Sequence, residues 1–74
     1  MSLPSAMDGR AFLRALCRIG WSVVRQRGSH RRLEHALSGR RIKVAFHAEI
    51  GRPAIRRTLE DGGIEEGEFL AAVR

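Results

Sequence analysis

The sequence predicts an α+β domain on three observations: an amphipathic helical segment comes first, three short strand-like segments follow, and two further helical segments come last. Few residues separate the strand-like segments and glycines mark the turns between them, which favours a three-stranded antiparallel sheet. The predicted order is α-β-β-β-α with a short C-terminal helix, and the helices are expected to cover one face of the sheet. A chain of 74 residues is expected to form a single domain, residues 1–74.

The first helix is predicted to run from a cap at Asp8 to about Arg18, with Gly20 placed to end it. Phe12 and Leu16 recur on one face at helical spacing, so this face is expected to be buried. Another side of the helix carries arginines at every fourth position, namely Arg10, Arg14 and Arg18. This line of charge is either a solvated face or part of a binding surface.

Three strands are predicted from the next segments of the chain. Trp21 to Gln26 has the aromatic and β-branched character of a strand, and Arg27-Gly28 indicates a turn. Ser29 to His35 alternates, Ser38-Gly39 is a second turn, and Arg41 to Phe46 alternates again. On the face away from the apolar side chains, the alternation places a histidine among basic residues: His30, Arg32, Arg41 and Lys43.

Two helices are predicted after the sheet. Pro53 suits the first turn of the second helix, in which Ile55 and Leu59 share a face, and Gly62-Gly63 ends it. The segment from Ile64 to Val73 is predicted to be the short C-terminal helix. Its first residues include three carboxylates, which favour the positive end of a helix dipole: Glu65, Glu66 and Glu68.

The charge is distributed unevenly along the chain. Residues 10–57 hold thirteen basic and two acidic residues, whereas residues 58–74 hold five acidic residues and one arginine. Thirteen of the fourteen basic residues are arginine, whose planar guanidinium binds phosphate with two hydrogen bonds and stacks on bases. This composition favours a nucleic-acid partner, with a solvated basic surface as the alternative.

Composition also argues against several classes of protein. Cys17 is the only cysteine and falls within the helical pattern, so an internal disulfide is excluded and a cytoplasmic location is expected. No apolar run has the length of a membrane span, and no membrane partner is expected. Residues 1–7 carry no helix or strand pattern and are expected to be disordered or a leader added for expression. The histidines lack the spacing of a zinc site, so neither a metal nor a cofactor is expected.

The segment Gly28-Ser29-His30 combines groups suited to phosphate chemistry at a predicted turn. Glycine lets the backbone approach a phosphate closely, serine adds a short hydroxyl, and histidine can exchange a proton near neutral pH. These are components of a metal-free ribonuclease site, where a base removes the proton of the ribose 2′-hydroxyl and cations stabilise the phosphoryl charge. Because the three residue types are also common in turns, their spacing alone leaves an ordinary turn as the alternative.

The other histidines and the tryptophan receive different interpretations. His35 falls on the inner face with Leu33, which favours a hydrogen-bonded structural role. His47 follows the third strand and is a possible accessory proton donor to the leaving oxygen, with a loop-anchoring role as the alternative. Trp21 begins a strand directly after a helix, so it is expected in the core and not as a base-stacking residue.

The chain resembles the HicA family of toxins from bacterial toxin-antitoxin pairs. The residues that carry the resemblance are Gly20-Trp21, Val24 to His30, Arg41 to Val44, His47, Thr58-Leu59 and Gly63-Ile64. The resemblance extends from Arg10 to Leu70. It implies a double-stranded-RNA-binding-domain-like fold, cleavage of messenger RNA, a catalytic histidine at His30 and inhibition by a HicB-type antitoxin.

These observations together favour a metal-independent endoribonuclease that acts on mRNA. His30 is expected to act as general base or acid, and Gly28 and Ser29 are expected to shape the phosphate contact. The residues expected to bind the RNA backbone are Arg25, Arg27, Arg32 and Lys43. The alternatives are a non-catalytic RNA-binding module of the same fold, or a chain that acts chiefly as half of a complex with an acidic antitoxin.

Overall fold

A computed structural model describes residues 2–73 and has an α+β fold. Its elements are β1 (Ala6–Asp8), α1 (Gly9–Arg18), β2 (Trp21–Arg27), β3 (His30–His35), β4 (Arg41–Ala45), β5 (Glu49–Gly51), α2 (Arg52–Gly62) and α3 (Glu66–Val73). Strands β2, β3 and β4 form one antiparallel sheet in that order, and β1 pairs with β5 in a second, two-stranded sheet. The predicted fold class is confirmed, including the three-stranded sheet and the short C-terminal helix.

Helix α1 begins and ends as its sequence predicts. The Asp8 side chain accepts a hydrogen bond from the Ala11 amide at 3.1 Å, which satisfies one of the unpaired N–H groups of the first turn. Gly20 follows the helix with φ of 101°, a conformation that favours glycine. Phe12 is fully buried, but Cys17 is exposed because it lies outside the buried stripe of the helix.

The core lies between the helices and the inner face of the three-stranded sheet. From the sheet, Leu33, Ile42 and Val44 are buried, and Trp21 is only 3% exposed, which confirms its expected core position. From the helices, Phe12 and Phe69 meet edge to face with ring centroids 5.6 Å apart. A hydrogen bond also joins α1 to α3: the Arg18 side chain donates to the Ala72 carbonyl at 2.8 Å.

Residues 2–7, which were expected to be disordered or an added leader, contribute a buried side chain and a short strand to the fold. Leu3 is only 2% exposed and belongs to the hydrophobic core. Ala6–Asp8 forms strand β1, which pairs with Glu49–Gly51, and Ile50 in that partner strand is also buried. A strand of three residues gives too little alternation to be recognised, yet its backbone pairing and one buried leucine order the segment. Met1 lies outside the described residues.

Helix α2 ends in a Schellman motif, which shifts the start of the last helix. Gly63 has φ of 65°, its N–H donates to the Glu60 carbonyl, and the Ile64 N–H donates to the Leu59 carbonyl. Ile64 thus closes α2 and packs into the core, and α3 begins at Glu66 instead of at Ile64 as predicted. None of the helices formed by residues 2–73 has the length and apolar character needed to cross a membrane.

Candidate nucleic-acid interface

A bulge in β2 decides which side chains of that strand reach the open face of the sheet. Val23 pairs with Leu33, but Arg25 pairs with Arg32, so Val24 is an extra residue that β3 does not match. Strict alternation through β2 would place Arg25 on the inner face together with Val23. The bulge instead turns Arg25 to the outer face, beside Arg32.

The same shift continues to the end of the hairpin and produces a basic groove on the outer face. Arg27 pairs with His30, and His30 pairs in turn with Ala45 of β4. The groove has a volume of about 420 Å³. The residues that line it are Arg25, Arg27, His30, Arg31, Arg32 and Lys43. Among these six there is no carboxylate, so an anion in the groove would meet five cationic side chains and no negatively charged one.

The structure therefore brings together five of the eight site residues predicted from the sequence: Arg25, Arg27, His30, Arg32 and Lys43. Gly28 and Ser29 form the turn between Arg27 and His30 at the end of the groove, and both are exposed. Gly28 has φ of 59°, and no atom lies within 4 Å of the position that a Cβ would occupy. Its glycine is thus required for backbone conformation, and the turn stays open to an approaching ligand.

Arg31 was not predicted as a site residue, because strand alternation points it to the inner face. Its guanidinium carbon lies 4.3 Å from the centroid of the Phe46 ring, a distance typical of a cation–π contact. Phe46 follows β4 directly, and its N–H donates to the Ser29 carbonyl at 2.6 Å. Sequence alone gives no signal for this pair, because the contact depends on how β3 and β4 are aligned.

His47 does not line the groove. It lies beyond the end of β4, in a separate depression shared with Asp8, Arg10 and Phe46. The expected role as an accessory proton donor is therefore not supported by its position. The groove contains one histidine, His30, which is exposed.

His35 has the structural environment expected for it. Its Nε2 lies 3.0 Å from the Ile19 carbonyl, and its Nδ1 faces the N–H groups of Leu37 and Ser38 at 3.3 and 3.4 Å. Because the carbonyl only accepts and the amides only donate, the tautomer with its proton on Nε2 satisfies all three partners. The ring also meets Trp21 edge to face, with centroids 5.1 Å apart.

The far end of the outer face is less positive than the groove. Arg41, which was expected to add to the basic surface, lies 3.9 Å from the Glu34 carboxylate on the neighbouring strand. This exposed pair offsets one positive charge with one negative charge. Within residues 2–73, no three histidine, cysteine, aspartate or glutamate side chains are grouped so that they could hold a metal ion.

A large part of the chain matches a known protein family. Residues 9–64 match the family described as HicA toxin of bacterial toxin-antitoxin. The matched range contains all the groove residues and the turn glycines of both hairpins, Gly28 and Gly39. No curated protein sequence matches the chain.

Proposed function

Because the chain belongs to the HicA family of toxins, which pair with antitoxins, we propose that it is an endoribonuclease that cleaves mRNA without a metal ion. The observation that carries the proposal is the position of His30. It is the one histidine of a groove that is otherwise lined by cations and is open to solvent. A proton-transfer group surrounded by phosphate-binding groups is the arrangement that cleavage of a phosphodiester requires.

The reaction begins with the ribose 2′-hydroxyl of RNA. His30 removes its proton, the 2′-oxygen forms a bond to the adjacent phosphorus, and the bond from phosphorus to the 5′-oxygen breaks. The products are a 2′,3′-cyclic phosphate and a 5′-hydroxyl, whose proton comes from the imidazolium of His30 or from water. DNA lacks the 2′-hydroxyl and is therefore expected to be bound but not cut.

Four cations of the groove are proposed to bind the scissile phosphate and its neighbours: Arg25, Arg27, Arg32 and Lys43. Arg25, Arg32 and Lys43 come from three adjacent strands, so they offer charges across the width of the sheet. Hydrogen bonds from guanidinium groups to phosphoryl oxygens strengthen as negative charge gathers there in the transition state. The exposed Gly28-Ser29 turn is proposed to supply close backbone and hydroxyl contacts at the end of the groove.

The antitoxin is proposed to be of the HicB type and to inhibit by covering the groove with an acidic surface. A groove lined by five cationic side chains and no carboxylate matches such a surface by charge. Both the RNA and the antitoxin would then compete for the same residues. Adding antitoxin to a complex of the protein with labelled RNA is expected to release the RNA.

The proposal is tested with pure protein, a chelator and two RNA oligonucleotides that differ only in a 2′-deoxy substitution at the cut site. Wild-type protein is expected to cut the all-ribose strand and leave the substituted linkage intact. His30→Ala is expected to lower the cleavage rate by about 10²- to 10⁴-fold with RNA affinity little changed. His47→Ala is the matched control, because His47 is also exposed but lies outside the groove. Equal rates for wild type and His30→Ala would refute the assignment.

A non-catalytic RNA-binding module is the second candidate. One specific observation favours it: no second histidine and no carboxylate lines the groove to share the proton transfers. In that case the wild-type protein would bind both oligonucleotides and leave both intact. Cleavage in the presence of chelator, abolished by the 2′-deoxy substitution, would exclude this candidate.

A further inference from the structure

Phe46 connects the exposed turn of the groove with the body of the protein. Its N–H donates to the Ser29 carbonyl at 2.6 Å, which continues the pairing of β3 and β4 one step beyond His30 and Ala45. Its ring is half-buried, and a ring carbon lies 3.6 Å from where a Cβ of Gly9 would be. The residue therefore lies against the start of α1 while its backbone holds the turn.

Arg31 fixes the same ring from the other side. Its guanidinium carbon lies 4.3 Å from the Phe46 ring centroid, and Arg31 immediately follows His30 in β3. Successive residues of a strand point to opposite faces, so the strand directs Arg31 toward Phe46 and His30 toward the outer face. Arg31 also lines the edge of the groove, so it lies between the Phe46 ring and the RNA-facing side chains. The Gly28-Ser29 turn is flanked by the Arg27–His30 pair of the β2–β3 ladder, and no atom packs near the Cβ position of Gly28.

We propose that Arg31 and Phe46 form a positioning clamp that holds His30 and the Gly28-Ser29 turn in their working geometry. The clamp acts through His30 and does not touch the reacting atoms, and this inference rests on the proposed ribonuclease function. His30 is the first residue of β3, and its pair with Ala45 lies at the open end of the β3–β4 hairpin, where strands fray most easily. Since a displacement of about 1 Å can cost about 100-fold in rate, the order of this strand end bears directly on catalysis.

The first test compares Phe46→Leu, which keeps an apolar side chain without the ring, with Phe46→Tyr, which keeps the ring. Phe46→Leu is expected to lower kcat on an RNA oligonucleotide by about 10- to 100-fold. Its KM is expected to stay within about twofold, because the phosphate-binding cations are unchanged. Phe46→Tyr is expected to retain wild-type kcat. Leu37→Ala is the control, since Leu37 is 93% exposed on the β3–β4 turn.

The second test distinguishes Arg31 as part of the clamp from Arg31 as a phosphate ligand. For the clamp, Arg31→Gln lowers kcat, and combining it with Phe46→Leu gives no further loss, because both variants break one contact. For a phosphate ligand, Arg31→Gln raises KM and weakens the salt dependence of binding, and its effect multiplies with that of Phe46→Leu. The second pattern would overturn the clamp.

The third measurement needs no activity. Backbone ¹⁵N relaxation of the RNA-free protein reports the order of the turn. Phe46→Leu is expected to lower the order parameters of Gly28, Ser29 and His30 while those of β3 beyond Leu33 stay as in the wild type. The inference would be overturned if Phe46→Leu changed neither the order parameters of the turn nor kcat. It would also be overturned if kcat fell only in proportion to the fraction of the variant protein that is unfolded. If wild-type protein cuts no RNA, the proposed function fails, and the relaxation result still decides whether the clamp exists.

Discussion

Replacing Gly9 by alanine is expected to destabilise the protein, because α1 starts in direct contact with the chain beyond β4. A Cβ at Gly9 would collide with the His47 carbonyl oxygen and lie 3.2 Å from its carbonyl carbon. The Gly9 N–H also donates to the Ala48 carbonyl at 2.9 Å, and the adjacent residue Asp8 pairs with Glu49. The two segments are therefore held together by their backbones and cannot separate without losing these bonds.

The expected magnitude follows from two opposing effects. Overpacking in a well-ordered contact typically costs about 1–3 kcal/mol. Alanine is favoured over glycine in a helix by about 0.5–1 kcal/mol, which offsets part of that cost. The difference between these two effects is a net loss of about 1.2 kcal/mol, which lowers the melting temperature of a domain of this size by about 5–10 °C. The loss is a large fraction of a total stability of about 4–11 kcal/mol.

Gly67→Ala is the matched control for this prediction. Gly67 also lies in the first turn of a helix, α3, but no atom lies within 4 Å of its Cβ position. Its alanine variant is expected to melt at or slightly above the wild-type temperature. Thermal unfolding followed by far-ultraviolet circular dichroism measures both variants. A Gly9→Ala protein that melts no lower than Gly67→Ala would refute the steric reasoning.

Two further predictions concern the groove and the inner face of the sheet. Arg25→Gln is expected to reduce the slope of log affinity against log salt by about 0.7 for single-stranded RNA. Arg57→Gln is the control, because Arg57 lies outside the groove and 3.7 Å from Asp61, and this variant is expected to leave the slope unchanged. Equal slopes for the two variants in filter-binding titrations would count against the groove as the RNA site. His35→Leu is expected to cost about 1–3 kcal/mol in urea unfolding, because the Ile19 carbonyl loses its partner, without a change in RNA affinity.

The sequence was most informative where a single local interaction ends an element. Asp8 and Gly63 predicted the start of α1 and the end of α2, because a side-chain cap and a left-handed glycine act within a few residues. The strand ends differed by only one residue from prediction: β2 extends to Arg27, β3 begins at His30 and β4 ends at Ala45. Strand β1 was missed because its order comes from Leu3 and from pairing with a segment more than forty residues away.

Only part of the groove could be predicted, because two of its residues also depend on how one strand aligns with another. Alternation in β3 and β4 placed Arg32 and Lys43 on the outer face, because both strands pair without irregularity. Alternation alone would have turned Arg25 and Arg27 inward, and only the bulge at Val24 brings them to the same face as His30. A bulge depends on how two strands align, so the sequence of β2 by itself contains no signal for it.

The two histidines of β3 show how strand geometry assigns different chemistry to the same side chain. His30 and His35 are five residues apart, an odd number, so a regular strand directs them to opposite faces of the sheet. On the inner side, His35 has a carbonyl and two amides as partners and packs against Trp21, which uses its hydrogen-bonding capacity for structure. On the outer side, His30 is exposed among cations in an open groove. A shift of β3 by one residue would turn His30 to the inner face and His35 to the outer face, so the pairing that buries Leu33 also directs His30 into the groove.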